Sequence, residues 1–260
     1  MLFRSVSQSR YQLANWTKQS IENADAIVTI SESSKKDILD NYSVSEKQVT
    51  VSYPGHSDAY KPVSDQKLIN RVKEKYQISG DYVLFLGTVQ PRKNLKRLIE
   101  AFSKIAKEND NKNLSLVVVG KIHGIGRQAW MFEEIVDLPK KLGIEKQVVF
   151  TDYVSDEDAV LLMNGARAYL LPSLWEGFGI PAVDAMCCGV PCVVSNLSSL
   201  PEVVGDAGLL VDPRSIEQIE NAIRRITTDE KLHSSLSKSS LEQCKKFSWK
   251  KMATEVLKVM

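Results

Sequence analysis

From Tyr82 onward the chain alternates two hydrophobic rhythms. Short, wholly apolar runs suit strands buried on both faces; longer stretches repeat apolar residues every three or four positions, as amphipathic helices do. The runs predict strands at 82–86, 114–119, 147–150, 168–171 and 190–194, with a short piece at 208–211. The longer stretches predict helices near 95–108, 127–142, 156–165, 181–188, 216–227, 231–245 and 249–259. Ahead of this region, Leu13, Trp16 and Ile21 predict a helix over 9–24, and a strand follows at 26–30. Ser31 is placed to cap a helix running to Leu39. A strand at 48–53 stops at Pro54-Gly55, and the polar stretch 58–66 reads as a linker.

Strands alternating with helices imply an α/β fold with a doubly wound parallel sheet. Such a sheet binds its ligand outside the carboxyl ends of the strands. Three loops at those ends carry unusual residues: 87–94, 120–126 and 172–179. No internal repeat or low-complexity segment is visible.

The loop 172–179 leads into Glu176-Gly-Phe-Gly-Ile-Pro-Ala-Val-Asp184, which reads as a strand end, a glycine turn and a helix start. Gly177 and Gly179 leave room for a ligand to approach the backbone. Pro181 suits a first helical turn. The N–H groups of Phe178, Gly179 and Ile180 then form an anion site, with Glu176 before the turn and Asp184 one turn into the helix. A loop carboxylate that merely caps Phe178 or Gly179 is the plainer reading of Glu176. Arg92 and Lys93, after Gly87 and Pro91, stand before another helix. Two cations there oppose the helix dipole, and a bound diphosphate would resolve the conflict; a solvated basic helix start is the alternative. The loop 120–126 fits neither a dinucleotide fingerprint nor a P-loop.

Composition adds exclusions. Hydrophobic residues make up 43% and charged residues 25% of the 260, as in an ordinary globular protein. Lys+Arg 34 against Asp+Glu 32 gives +2, so a nucleic-acid partner is not expected. Cys187, Cys188, Cys192 and Cys244 have no metal-ligand or disulfide spacing and read as buried apolar residues in a reducing compartment. No metal site is expected. His56 follows Pro54-Gly55 in a loop, while His123 and His233 read as surface groups. No apolar run approaches the ~20 residues of a membrane span, and the first residues start no signal peptide, so a cytoplasmic location is expected. The lysines at 245, 246, 250 and 251 read as a solvated face, with contact to an anionic inner membrane surface as the alternative.

These motifs together resemble a known family. The stretch Glu176 to Asp184 resembles the E-x7-E signature of the retaining glycosyltransferases of family 4, the glycosyl transferases group 1 of the GT-B fold. Gly87 to Asn94 with the helix after it, Val148 to Asp158, Ser195 to Asp212 and Phe247-Ser-Trp249 also match, so the likeness runs from about residue 9 to the C-terminus. The resemblance implies a Rossmann-like donor domain over 59–246. It also implies the end of an otherwise absent acceptor domain over 1–58, and a crossover helix over 247–260. It further implies sugar transfer, with retention, from a nucleoside-diphosphate sugar to a glycan or lipid-linked acceptor. Mannosyltransferase-like members suggest GDP-mannose, and no cofactor is needed. Arg92 and Lys93 would hold the diphosphate and Glu176 would orient the sugar. Tyr153 and Val154 would border the base, beside Asp152, where the family often has Gly. Asp184 stands where the family has a ribose-binding Glu and is one carbon shorter. The missing acceptor domain suggests a truncated chain or one subunit of a split enzyme. A non-catalytic donor-binding subunit, or an epimerase or phosphorylase of the same fold, are the alternatives.

Overall fold

The structure is a computed structural model that describes residues 8–108, 113–121 and 129–259. It divides into two compact units, Met1–Gly55 with Ser248–Met260, and His56–Phe247.

The smaller unit contains α1 (Gln8–Glu22), β1 (Ile27–Thr29), α2 (Glu32–Asn41), β2 (Val49–Val51) and α11 (Trp249–Val256). β1 and β2 pair in parallel. Ser31 caps α2 by accepting from the Ser34 N–H. Ser52 anchors α11 by donating to the Met252 carbonyl and meeting Glu255 Oε2 at 3.0 Å. A side chain at Gly55 would stand 2.2 Å from the backbone nitrogen of Trp249, so this approach requires glycine. Leu13 and Trp16 of α1 are exposed, as are Trp249 and Leu257.

The larger unit carries the parallel sheet. Its strands are β3 (Asp81–Leu86), β4 (Leu114–Val119), β5 (Val148–Asp152), β6 (Ala168–Leu171), β7 (Cys192–Ser195) and β8 (Gly208–Val211). They lie in the order β5-β4-β3-β6-β7-β8, every pair parallel. β4 and β6 are buried at every position, which is why β6 is wholly apolar and β4 is apolar but for Ser115, whose hydroxyl donates to the Ser79 carbonyl. Helices α4 (Leu95–Ala106), α5 (Ala129–Lys141), α6 (Asp156–Asn164), α7 (Ile180–Cys187), α9 (Ile216–Thr228) and α10 (Glu230–Cys244) complete the alternation. The chain runs outward from β3 to β5, then returns to place β6 against the other side of β3. The order of winding therefore reverses between β3 and β6. Loops leaving those two strands diverge there and open a crevice at their carboxyl ends.

Two helices lie outside the sequence expectation. α3 (Gln66–Lys75) begins where the linker was expected to end, capped by Asp65. It buries only Ile69 and Val72 among mostly polar residues, too sparse a stripe for periodicity to register. α8 (Leu200–Val204) is a single short turn-rich element. The helix expected at 127–142 is described from Ala129 to Lys141. His123 and the rest of the loop beyond Lys121, to residue 128, lie outside the described residues.

Candidate functional site

At the switch point the loops after β3 and β6 bring Arg92, Lys93 and Glu176 together. Arg92 and Lys93 close a 3-10 turn, Pro91–Lys93, before α4. The Arg92 guanidinium meets Glu176 Oε2 at 2.5 Å, and the Lys93 ammonium lies 3.6 Å from Oε1. Lys93 and Glu176 are each only 7% exposed. The conflict between two cations and a helix start is thus met inside the chain by Glu176. Lys93 is buried rather than on a solvated helix face, and the Glu176 carboxylate faces both cations. Burial, then the neighbouring Arg92, lowers the Lys93 pKa against the opposing pull of Glu176.

The trio is held by groups that carried no signal in the sequence. Asn94 sits in the left-handed region (φ 61°), where Asn is among the few tolerated side chains. Its amide donates to the carbonyls of Pro172 (3.0 Å) and Pro213 (2.7 Å), tying three loops together. The Leu174 N–H donates to the Arg92 carbonyl, and Arg92 donates to that of Trp175. Ser173 donates to Glu176 Oε1, Ser198 accepts from the Glu176 N–H, and Ser199 donates to the carbonyls of Glu176 and Phe178. The signal available in advance was only that Asn94 and three serines cluster around the candidate loops.

Gly179 is the N-cap of α7 at φ 100°, and Ile180 and Pro181 form its first turn. A Cβ on Gly179 would lie 2.7 Å from Leu200. Phe178 is buried and meets Phe247 edge to face at 5.5 Å. Gly87 (φ 146°) lies against the end of Lys93, where a Cβ would come within 2.7 Å of Nζ. Gly120 (φ 142°) in turn packs on Gly87, with a Cβ position 2.2 Å from its carbonyl oxygen. At Gly120 the contact of two backbones needs glycine, whereas at Gly87 it is the positive φ that favours glycine.

Beside these glycines a cavity of about 370 Å³ opens, lined by Gly87, Gly120, Tyr60, Tyr153, Val154 and Asp156, among others. Its size lies within the range of small-molecule sites. Val154 is buried in its wall and Tyr153 is 70% exposed at its mouth. Asp152 adopts φ 57°, which explains why glycine suits that position. Burial, with Asp184 adding repulsion, pushes the Tyr60 hydroxyl up to about 12.

Asp184 is 8% exposed on α7. Burial pushes its carboxyl up to about 7, against the pull of His56 and of a hydrogen bond from the Ser57 N–H. Its Oδ1 is buried with no hydrogen-bond partner. A neutral or ionised acid of this kind suits a hydroxyl-bearing ligand better than it suits an empty wall. His233 is half-buried, its Nε2 3.0 Å from the Arg167 carbonyl, and so is not the free surface group expected. All four cysteines are free and buried. Spacing gave no hint that Cys187, Cys244 and His56 converge in space. The Cys187 thiol donates to the Cys244 sulfur, which raises the pKa of Cys187 and lowers that of Cys244. Among the described residues no helix is long and apolar enough to cross a membrane.

The geometry offers a cation pair, with Lys93 buried and Arg92 half-exposed, a helix start and an adjoining cavity at a switch point, which is an arrangement for an anionic, partly apolar ligand. A family model for glycosyl transferases group 1 matches residues 67–243. The chain belongs to this family. Among curated relatives, an O-antigen chain mannosyltransferase B from Escherichia coli is 32% identical over 92% of this chain and 61% of its own length. This glycosyl transferase chain therefore spans less than two thirds of that relative. Among solved structures, sucrose-phosphate synthase from Thermosynechococcus elongatus superposes with a TM-score of 0.82 at 24% identity, over 97% of this chain and 61% of that one. An Anabaena protein in complex with UDP-glucose gives 0.80 at 19%, over 97% and 66%. These likenesses show the fold.

Proposed function

We propose that this glycosyl transferase chain is the donor-binding part of a retaining enzyme of family 4, moving a sugar from a nucleoside-diphosphate sugar to an acceptor hydroxyl. The observation that carries this reading is the Arg92–Lys93–Glu176 cluster at the switch point, in which Lys93 and Glu176 are buried and Arg92 reaches solvent. Its net charge of one positive unit suits a diphosphate ester, which brings more negative charge than Glu176 alone can supply. Arg92 provides a fork of donors, Lys93 a point charge, and the start of α7 its N–H groups at Gly179 and Ile180. The same groups stabilise the charge that builds on the diphosphate as the bond from the anomeric carbon to its phosphate oxygen breaks. The acceptor oxygen bonds to that carbon on the same face, and its proton leaves to the diphosphate oxygen. Glu176, relieved of part of its pairing, lies beside the developing positive charge and orients the sugar.

The cavity lined by Tyr153 and Val154 takes the nucleoside, and the unpartnered oxygen of Asp184 takes ribose hydroxyls, directly or through water. The mannosyltransferase relative favours mannose as the sugar, and the resemblance to mannosyltransferase-like members points to GDP as its carrier; the UDP-glucose complex of the Anabaena protein supports the general ligand class. No cofactor or metal is required for this chemistry. The acceptor is a glycan or a lipid-linked acceptor, met in the cytoplasm. Calorimetric titration with GDP, UDP and ADP tests the reading. Binding of one nucleotide, with GDP expected, supports it; failure of all three to bind would refute it.

A further inference from the structure

One cluster takes no part in this chemistry. Cys187 and Cys244 are both more than nine-tenths buried, and His56 is half-buried beside them. One ligand atom from each of the three lies within 4.8 Å of the others. The topology that joins them is specific. Cys187 is the last residue of α7 and Cys244 the last of α10, and these two helices pack together. Two helix C-termini, each carrying partial negative charge, therefore converge on one spot.

The remaining surroundings favour a cation as well. His56 Nδ1 lies 3.2 Å from the Ser57 carbonyl. A proton held there donates to that oxygen and leaves Nε2 with its lone pair for a ligand. Of the two lysines that follow Cys244, Lys245 is paired with Glu242 at 2.7 Å on the exposed side, and Lys246 is exposed.

We propose that His56, Cys187 and Cys244 bind a soft divalent cation, zinc first. Two thiolates and an imidazole are the donor set that zinc prefers, and their separation is close to what it needs. Ligand atoms in a tetrahedral zinc site stand about 3.3–3.8 Å apart, given its bond lengths, so side-chain rotation closes the remaining gap. Binding releases the thiol protons to solvent and leaves a fourth position for water. The metal fastens the C-terminal end of α7 to α10 and to the loop at His56. It thereby steadies the helix whose other end starts at the donor crevice.

Cobalt(II) is the probe, because thiolate ligation gives it an intense near-ultraviolet charge-transfer band and tetrahedral geometry a strong visible spectrum. The reduced, metal-free full chain is titrated with cobalt, and zinc is then added to displace it. One equivalent with both spectral features, bleached by zinc, is expected. Cys187→Ala and Cys244→Ala should each weaken binding on the order of a hundredfold or more, and His56→Gln should weaken it less, while Cys192→Ala leaves it intact. A wild-type chain without a thiolate band overturns the assignment whatever the variants do. So does a band that persists in both folded cysteine variants. Two thiols missing from the free-thiol count of the unreduced chain would assign the pair to a disulfide and overturn it also.

Discussion

Lys93 is the residue on which the electrostatics turn. It is buried, its pKa is lowered by that burial, and one of its neighbours is another cation. A lysine in this position loses its proton more readily than one in water, so its contribution to anion binding is lost as pH rises through the lowered value. Nucleoside diphosphate affinity should therefore hold near neutral pH and fall at a pH below the ordinary lysine value of 10.5. A titration series from pH 7 to 11 (with folding followed by circular dichroism) reads this directly, and a flat profile to the top of the range would contradict it. The glycines nearby separate function from folding. A methyl at Gly87 meets the far end of Lys93, which can move. Gly87→Ala should cost about 1–3 kcal/mol of stability, from its positive φ, and also displace the ammonium and weaken diphosphate binding. A methyl at Gly120 meets the Gly87 backbone, which cannot yield, so Gly120→Ala should cost about 3 kcal/mol or more. Thermal melts alongside nucleotide titrations distinguish the two patterns.

At the scale of elements, the three loops at the site are joined through Asn94. Its amide satisfies two buried carbonyls on segments far apart in sequence, while its own backbone takes a conformation that alanine resists. Asn94→Ala should destabilise the larger unit by about 2–4 kcal/mol and reduce nucleotide affinity as well, since the turn holding Arg92 and Lys93 loses its anchor. Denaturant unfolding checks the first effect; unchanged stability would remove Asn94 from this role. The elements themselves were largely legible. β4 and β6 read correctly because a strand covered on both faces is apolar almost throughout, Ser115 being the one polar residue in the two. α3 did not, because a helix that buries two residues leaves little periodic trace. The individual residues of the trio were legible from their loop positions, but their mutual pairing was not. Ion pairs across loops depend on the distance between strands, and only the sheet order fixes that. The His56, Cys187 and Cys244 cluster was invisible for the same reason: its members meet only once α10 folds back onto α7.

For the molecule as a whole, the order β5-β4-β3-β6-β7-β8 is what makes these residues a site. Reversal of the winding between β3 and β6 opens the crevice, and the two loops that flank it supply cations from one side and a carboxylate from the other. The central claim is that Arg92 and Lys93 hold the diphosphate. Its most direct test compares calorimetric affinities for a nucleoside diphosphate and the matching monophosphate, in the wild-type chain and in the Arg92→Ala/Lys93→Ala variant. The wild type should prefer the diphosphate by about 10- to 100-fold, and the variant should lose that preference while keeping its affinity for the monophosphate within a few-fold. A preference that survives removal of both cations would place the diphosphate elsewhere.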